Sequence, residues 1–179
     1  MIQENDMYPY LRLARVIFSA RFKPRLRMDG TSELKMRVWP NDIDTYPELN
    51  NGRHLILMDL GRIDFAARSG LLKKVHQLRW SFVVAGASVR YRRRLPHWGR
   101  FILKTRAAGY DHRWFYFYQE TERDGKICSS ALIRAGVLSK EGIVAAKKVL
   151  EVLGTEDWAP DLPRWIQAWI EADELRPQL

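Results

Sequence analysis

One cysteine, Cys128, stands among 179 residues, so no disulfide can form within the chain. A reducing, cytoplasmic setting is the expectation. No window approaches the ~20 apolar residues that a membrane-spanning helix needs, because the runs inside Leu55–Leu60 and Phe82–Ala87 are short. Met1–Asp6 has neither a basic start nor an apolar run, and a secretory signal is not expected. Cysteine and histidine never fall at zinc spacing. Asp42 and Asp44 without a supporting histidine make a poor metal pair, so no metal is assigned. A glycine-rich phosphate loop and a Gly-x-Ser-x-Gly elbow are missing too. Internal repeats and low-complexity tracts are absent.

What remains is a chain of ordinary apolar content, 46%, with seven tryptophans, seven tyrosines and a formal charge of +9. Its length fits one domain with a proper core. The arginines gather in Leu11–Arg27 and Val89–Arg106. Such a surface attracts phosphorylated ligands, anionic lipid or nucleic acid. No recognition motif supports nucleic acid, which is not expected as a partner.

Met7–Arg27 mixes apolar and basic residues at helical spacing, and Pro24 breaks the pattern. It reads as a helix packed on the body or as a contact for an anionic membrane surface. Ser32–Trp39 alternates, with Leu34, Met36 and Val38 on one face, as a half-buried strand does. Pro40 ends it, since proline cannot donate to a ladder. After an acidic loop, Asn50 or Asn51 caps a helix that runs to Ser69, with Gly70 closing it. At 1.5 Å per residue that is roughly 27–29 Å. Its apolar residues spread over more than one face, so it is covered on several sides.

Gln77–Leu95 reads as one long strand or two joined at Gly86. Phe101–Tyr110, Arg113–Glu122 and Lys126–Leu138 follow, the last pair split by the hairpin signal Asp124-Gly125. Rings of Trp114–Tyr118 line a sheet face. Ala145–Leu153 and Arg164–Leu175 are helices. The expected class is α+β, with about four antiparallel strands curved around the long helix and further helices at both ends. The divisions are a basic N-terminal helical extension at 1–30, a central domain at 31–143 and a C-terminal helical extension at 144–179.

The junction Asp42-Ile43-Asp44-Thr45-Tyr46-Pro47-Glu48-Leu49-Asn50-Asn51-Gly52-Arg53-His54-Leu55 resembles the signature of hotdog-fold acyl-CoA thioesterases of the hydroxybenzoyl-CoA type. Their pattern is Asp-x-Asp, a short loop, then His-Met-Asn-Asn at the helix start. Met58-Asp59-Leu60-Gly61-Arg62 and Val89-Arg90-Tyr91-Arg92-Arg93 fit the same family, nearest its branch related to mesenchymal stem cell-type proteins. Glu48 and Leu49 depart from it, standing where His and Met are usual, so no histidine-dependent role carries over.

The resemblance implies a hotdog fold, hydrolysis of an acyl-CoA, no cofactor beyond coenzyme A as part of the substrate, and a homodimer or homotetramer. It makes Asp44 the loop carboxylate that activates water or attacks the thioester. Unpaired N–H groups of the helix start would polarise the carbonyl. Asn50 and Asn51 orient water or substrate with their amides, or serve as caps. Glu48 is a substitute base or a loop acid. Asp59 is a second carboxylate or the partner of Arg62 or Arg53. Tyr46 is assigned to substrate binding, and so is His54, whose other reading is a packed helix residue. Arg90, Arg92, Arg93 and Arg94 are assigned to it too, with Arg90, Arg92 and Arg94 on one strand face beside Arg100, Lys104 and Arg106 of an adjacent strand, a set suited to the phosphates of coenzyme A or to solvent.

Overall fold

A computed structural model describes residues 8–177. Met1–Asp6 and Met7, the first residue of the basic amphipathic pattern, lie outside the described residues. The helix itself, α1, spans Tyr10–Ala20. Strand β1 follows at Thr31–Arg37, burying Ser32 and Leu34 and exposing Glu33, Lys35 and Arg37. A 3-10 turn at Pro40–Asp42 leads through the acidic loop into the long helix α2, Asn51–Ser69. Asn50 caps α2 at its start, and Gly70 ends it at φ 85°, a left-handed conformation that costs glycine little.

The next stretch departs from expectation. Leu71–Gln77 forms a short helix, α3, because Leu71 and Val75 bury one turn apart against the body. Strand β2 therefore starts only at Ser81 and ends at Tyr91. It is one strand, with a register shift between Val84 and Gly86 rather than a break. Strands β3 (Arg100–Tyr110), β4 (Phe115–Arg123) and β5 (Lys126–Ser139) follow, and the short β6 (Gly142–Val144) folds back on β5. Helices α4 (Ala146–Leu153) and α5 (Arg164–Glu174) close the described chain.

All pairings are antiparallel, in the order β1-β3-β4-β5-β2. The sheet curls around α2. Leu57, Met58, Leu60 and Phe65 of α2 are fully buried. On the opposite side α1 covers the helix, so the apolar residues on more than one face have partners on both. Gly61 makes the tightest approach to the sheet. A Cβ there would lie 2.4 Å from Thr105 Oγ1 and 3.0 Å from Leu103 Cδ2.

The ring cluster divides between the faces of β4. Phe115 and Phe117 enter the main core, where Phe117 meets Phe65 edge-on. Tyr116 points outward and, with Leu132 and Ile166, forms a second core beneath α5. The guanidinium of Arg134 lies 4.7 Å over Trp169, and its Nη1 donates to Asp173 Oδ2 at 2.8 Å. The two tryptophans of α5 thus serve to seat it on the outer face of the sheet, Trp165 against Tyr118 and Trp169 against Tyr116.

Candidate active site

The loop from Trp39 to Asn50 is held by backbone bonds on both flanks. Asp44 N donates to Glu48 O, Leu49 N to Leu95 O, His97 N to Pro47 O, and Asn50 N to Asp42 O. The Leu49 and His97 bonds fasten the loop to the segment that joins β2 to β3, and the other two close the loop on itself.

Asp42 is the anchor. It is buried, and its carboxylate accepts Arg12 Nη2 at 2.6 Å, Arg53 Nη2 at 3.1 Å and its own loop's Trp39 N at 2.9 Å. One group therefore ties α1, the loop and the first turn of α2 together. Sequence reading passed it over as the first half of Asp-x-Asp; the signal was two arginines at helical distance from the loop, visible only once α1 and α2 are side by side.

Asp44, two residues on, is half-buried. Its Oδ1 accepts Tyr46 N at 2.8 Å, and among the described residues no cation reaches it. Tyr46 is exposed at the loop tip. Glu48 pairs with Arg94, whose Nε is 3.1 Å from Oε2, although the angle is not that of a hydrogen bond. Asn50 Oδ1 accepts Gly52 N at 2.8 Å and Arg53 N at 3.3 Å. The cap thus uses two of the helix-start amides, and among the described residues the Asn51 N–H is left without a protein acceptor. Asn51 O in turn accepts the Tyr91 hydroxyl at 3.0 Å.

His54 turns inward from the same helix end. It is buried, edge-on to Tyr91, with Nδ1 3.1 Å from Ser129 Oγ; that hydroxyl lies 2.7 Å from Thr121 Oγ1. Burial lowers its pKa to about 4, so the ring is neutral at pH 7.

Asp59 lies eight residues beyond Asn51, about 12 Å along the helix. Arg62 is its partner, Nη2 to Oδ1 at 3.0 Å, while Arg53 goes to Asp42. The Tyr8 hydroxyl donates to Asp59 Oδ2 at 2.5 Å, and burial with this carboxylate raises the tyrosine pKa strongly. Arg62 also donates to Gln119 Oε1 at 2.6 Å, and Gln119 Nε2 reaches Met58 O and Thr105 Oγ1. Asp59 and Arg62 border a small apolar cavity walled by Phe115, Phe117, Val137 and Leu153. Asp64, another acid the sequence did not single out, is fully buried between Lys23, Ser32 and Arg68.

The arginine arrangement differs from the expected one. β2 ends at Tyr91, so Arg92, Arg93 and Arg94 lie in the turn beyond it, and strand alternation does not apply to them. The N–H groups of Arg92 and Arg93 both donate to Cys128 O, which bends the chain away from the ladder. Arg90, Arg92, Arg93 and Arg94 are all exposed. Arg100, Lys104 and Arg106 belong to β3, from which β4 and β5 separate β2. They form no common face with the turn: Lys104 pairs with Glu122, and Arg106 covers the ring of Tyr118.

A curled antiparallel sheet around one long helix, with an acidic loop at that helix's start, is the hotdog arrangement. Residues 38–170 match the thioesterase-like superfamily, and the chain belongs to that family. Among its relatives, the protein THEM6 of Xenopus laevis is 29% identical over 178 residues, covering 97% of this chain and 84% of its own. Two solved structures share the fold. Slr0204, a 1,4-dihydroxy-2-naphthoyl-CoA thioesterase from Synechocystis, superposes with a TM-score of 0.59 at 11% identity, over 69% of this chain and 95% of its own. SAV2348 from Staphylococcus aureus, solved in complex with CoA, superposes with a TM-score of 0.61 at 13% identity, over 79% of this chain and 95% of its own.

Proposed function

We propose that the protein hydrolyses an acyl-CoA, with Asp44 as the carboxylate that activates water. The observation that carries this reading is the isolation of Asp44. Asp42, Glu48, Asp59 and Asp64 each have an arginine or lysine partner, whereas Asp44 accepts one backbone N–H. A carboxylate with an open lone pair beside a helix start is suited to take a proton from water. The water oxygen would attack the thioester carbonyl, the Asn51 N–H would stabilise the oxyanion, and the C–S bond would break. Asp44 would then return the proton to the departing CoA sulfur. A direct attack by Asp44 fits the same geometry, with water releasing the acyl group in a second step.

The arginine turn supports a CoA-type ligand. Arg94 is joined to Glu48, and the same segment is bonded to the loop through Leu95 O and His97 N, so exposed cations lie close to Asp44. Guanidinium groups suit phosphates. The complex of SAV2348 with CoA fits this choice. Tyr46, exposed on the loop, would meet the substrate.

A homodimer or homotetramer belongs to the proposal. β2 is an eleven-residue edge strand with Phe82 and Val84 exposed. Unpaired edges of this kind take up a second strand, and a second copy would bring its own arginine turn to the seam. The lone, buried Cys128 suits a reducing, cytoplasmic setting.

Purified protein should release CoA from some member of a panel of short, long and aromatic acyl-CoAs, followed by thiol detection. No release from any member would remove the proposal. A second reading rests on Glu48, which pairs with Arg94 and stands where the signature that the loop resembles has histidine: a hotdog domain that binds acyl-CoA without cleaving it. Saturable acyl-CoA binding without CoA release would select it.

A further inference from the structure

The solvent side of α1 carries large apolar side chains. Its inner side is used fully: Val16 and Ala20 are buried, and Leu13 packs against the core. A helix lying on a protein body would turn polar residues outward. Here Leu11 is 89% exposed, Phe18 62% and Phe22, just past the helix end, 76%. Leu11 and Phe18 are seven residues apart and so lie on one stripe. The rings of Phe18 and Phe22 touch edge-on, 5.2 Å between centroids, which extends that stripe. Arg15 borders it on one side and Arg21 on the other, and Arg25 follows past the helix end; all three are exposed. Beyond Arg15 the groove between α1 and the sheet is of mixed charge, walled by Lys35, Arg37 and Arg100 and by Glu33, Glu122 and Asp124.

We infer that this face of α1 lies on an anionic lipid bilayer, with Leu11, Phe18 and Phe22 in the acyl boundary and the arginines among the headgroups. The chemistry selects the occupant. Three large apolar side chains standing out into solvent from one helix suit a fluid surface that closes around them. A ring of cations on both flanks opposes self-association of the ridge, since two copies would bring like charges together, and it favours an anionic leaflet at about 1 kcal/mol per basic residue near the surface. Contact of this kind does not cross the membrane. No helix among the described residues is long and apolar enough to do so. The inference does not depend on the hydrolytic reading, because α1's outer side is separate from the loop that carries Asp44.

Co-sedimentation of the full chain with phosphatidylcholine vesicles, with and without phosphatidylserine, tests it. Binding is expected only with phosphatidylserine and should weaken as salt rises. The variant Leu11→Ser/Phe18→Ser/Phe22→Ser should lose about tenfold or more in partition, and Arg15→Glu/Arg21→Glu a similar amount. Lys140→Glu/Lys147→Glu makes the same charge change elsewhere on the surface and should leave binding intact. All substituted residues are exposed, so circular dichroism melts should match the parent. Four results would overturn the inference: no sedimentation with phosphatidylserine, equal binding to neutral vesicles, full binding by either α1 variant, or equal loss in the Lys140/Lys147 control. A fall in oligomer mass of the triple-serine variant without vesicle binding would instead assign the ridge to contact between copies.

Discussion

The loop before α2 and the middle of α2 both carry acids, and the two regions treat them differently. In the helix both acids are paired: the partly exposed Asp59 with Arg62 and Tyr8, the buried Asp64 with Lys23, Ser32 and Arg68. In the loop, Asp42 is likewise paired, but Asp44, two residues away, keeps a carboxylate almost free of partners. A paired, buried acid positions chain segments, because removing one partner strands a charge away from water. A half-exposed acid without a cation contributes little to stability and remains available for proton transfer. The comparison separates architecture from chemistry more cleanly than residue type does.

The strongest way to break it is Asp44→Asn. Turnover should fall about a thousandfold, with an unchanged melting temperature; retained turnover would shift attention to Glu48 or Asp59. Asp42→Asn should do the reverse, costing about 3 kcal/mol in denaturant unfolding, since Arg53 is left buried beside a neutral group. His54 sharpens the contrast from the helix side. Its folded pKa, about 4, lies below the ordinary 6.5. The unfolded chain binds the proton first, so stability should be full above about pH 6.5 and decline as pH falls toward 4. His54→Gln should flatten that part of a stability–pH curve. The smallest effect belongs to Asp59→Asn. Asp59 is itself partly exposed and Arg62 keeps its bond to Gln119 Oε1, so a loss of about 1 kcal/mol and near-parental turnover are expected.

Much of the frame could be read from the chain. The alternation of Leu34, Met36 and Val38, the Asn50 cap, the Gly70 stop and the Asp124-Gly125 hairpin are local signals, and each appears where local chemistry places it. So does the several-sided burial of α2. The failures are those of long range. α3 went unassigned and the strand after it was begun at Gln77 instead of Ser81, because Leu71 and Val75 mark a helix face only against a body that the sequence does not display. The basic strand face dissolved because strand order, β3 far from β2, is a property of the whole sheet. At the site, residue types could nominate acids, but which of them is neutralised depends on arginines from other elements: Arg12 from α1 and Arg94 from the turn after β2.

Gly61 carries a mechanical consequence. With Thr105 and Leu103 so close, α2 makes its nearest backbone approach to the sheet at this residue, a bearing with Leu57, Leu60 and Phe65 packed around it. Asn50 lies eleven residues away, about 16 Å along the axis. A degree of tilt at that bearing is therefore magnified at the loop, where the cap, the Asn51 amide and Asp44 must share one alignment. The missing side chain in the middle of the helix is what lets its far end be aimed.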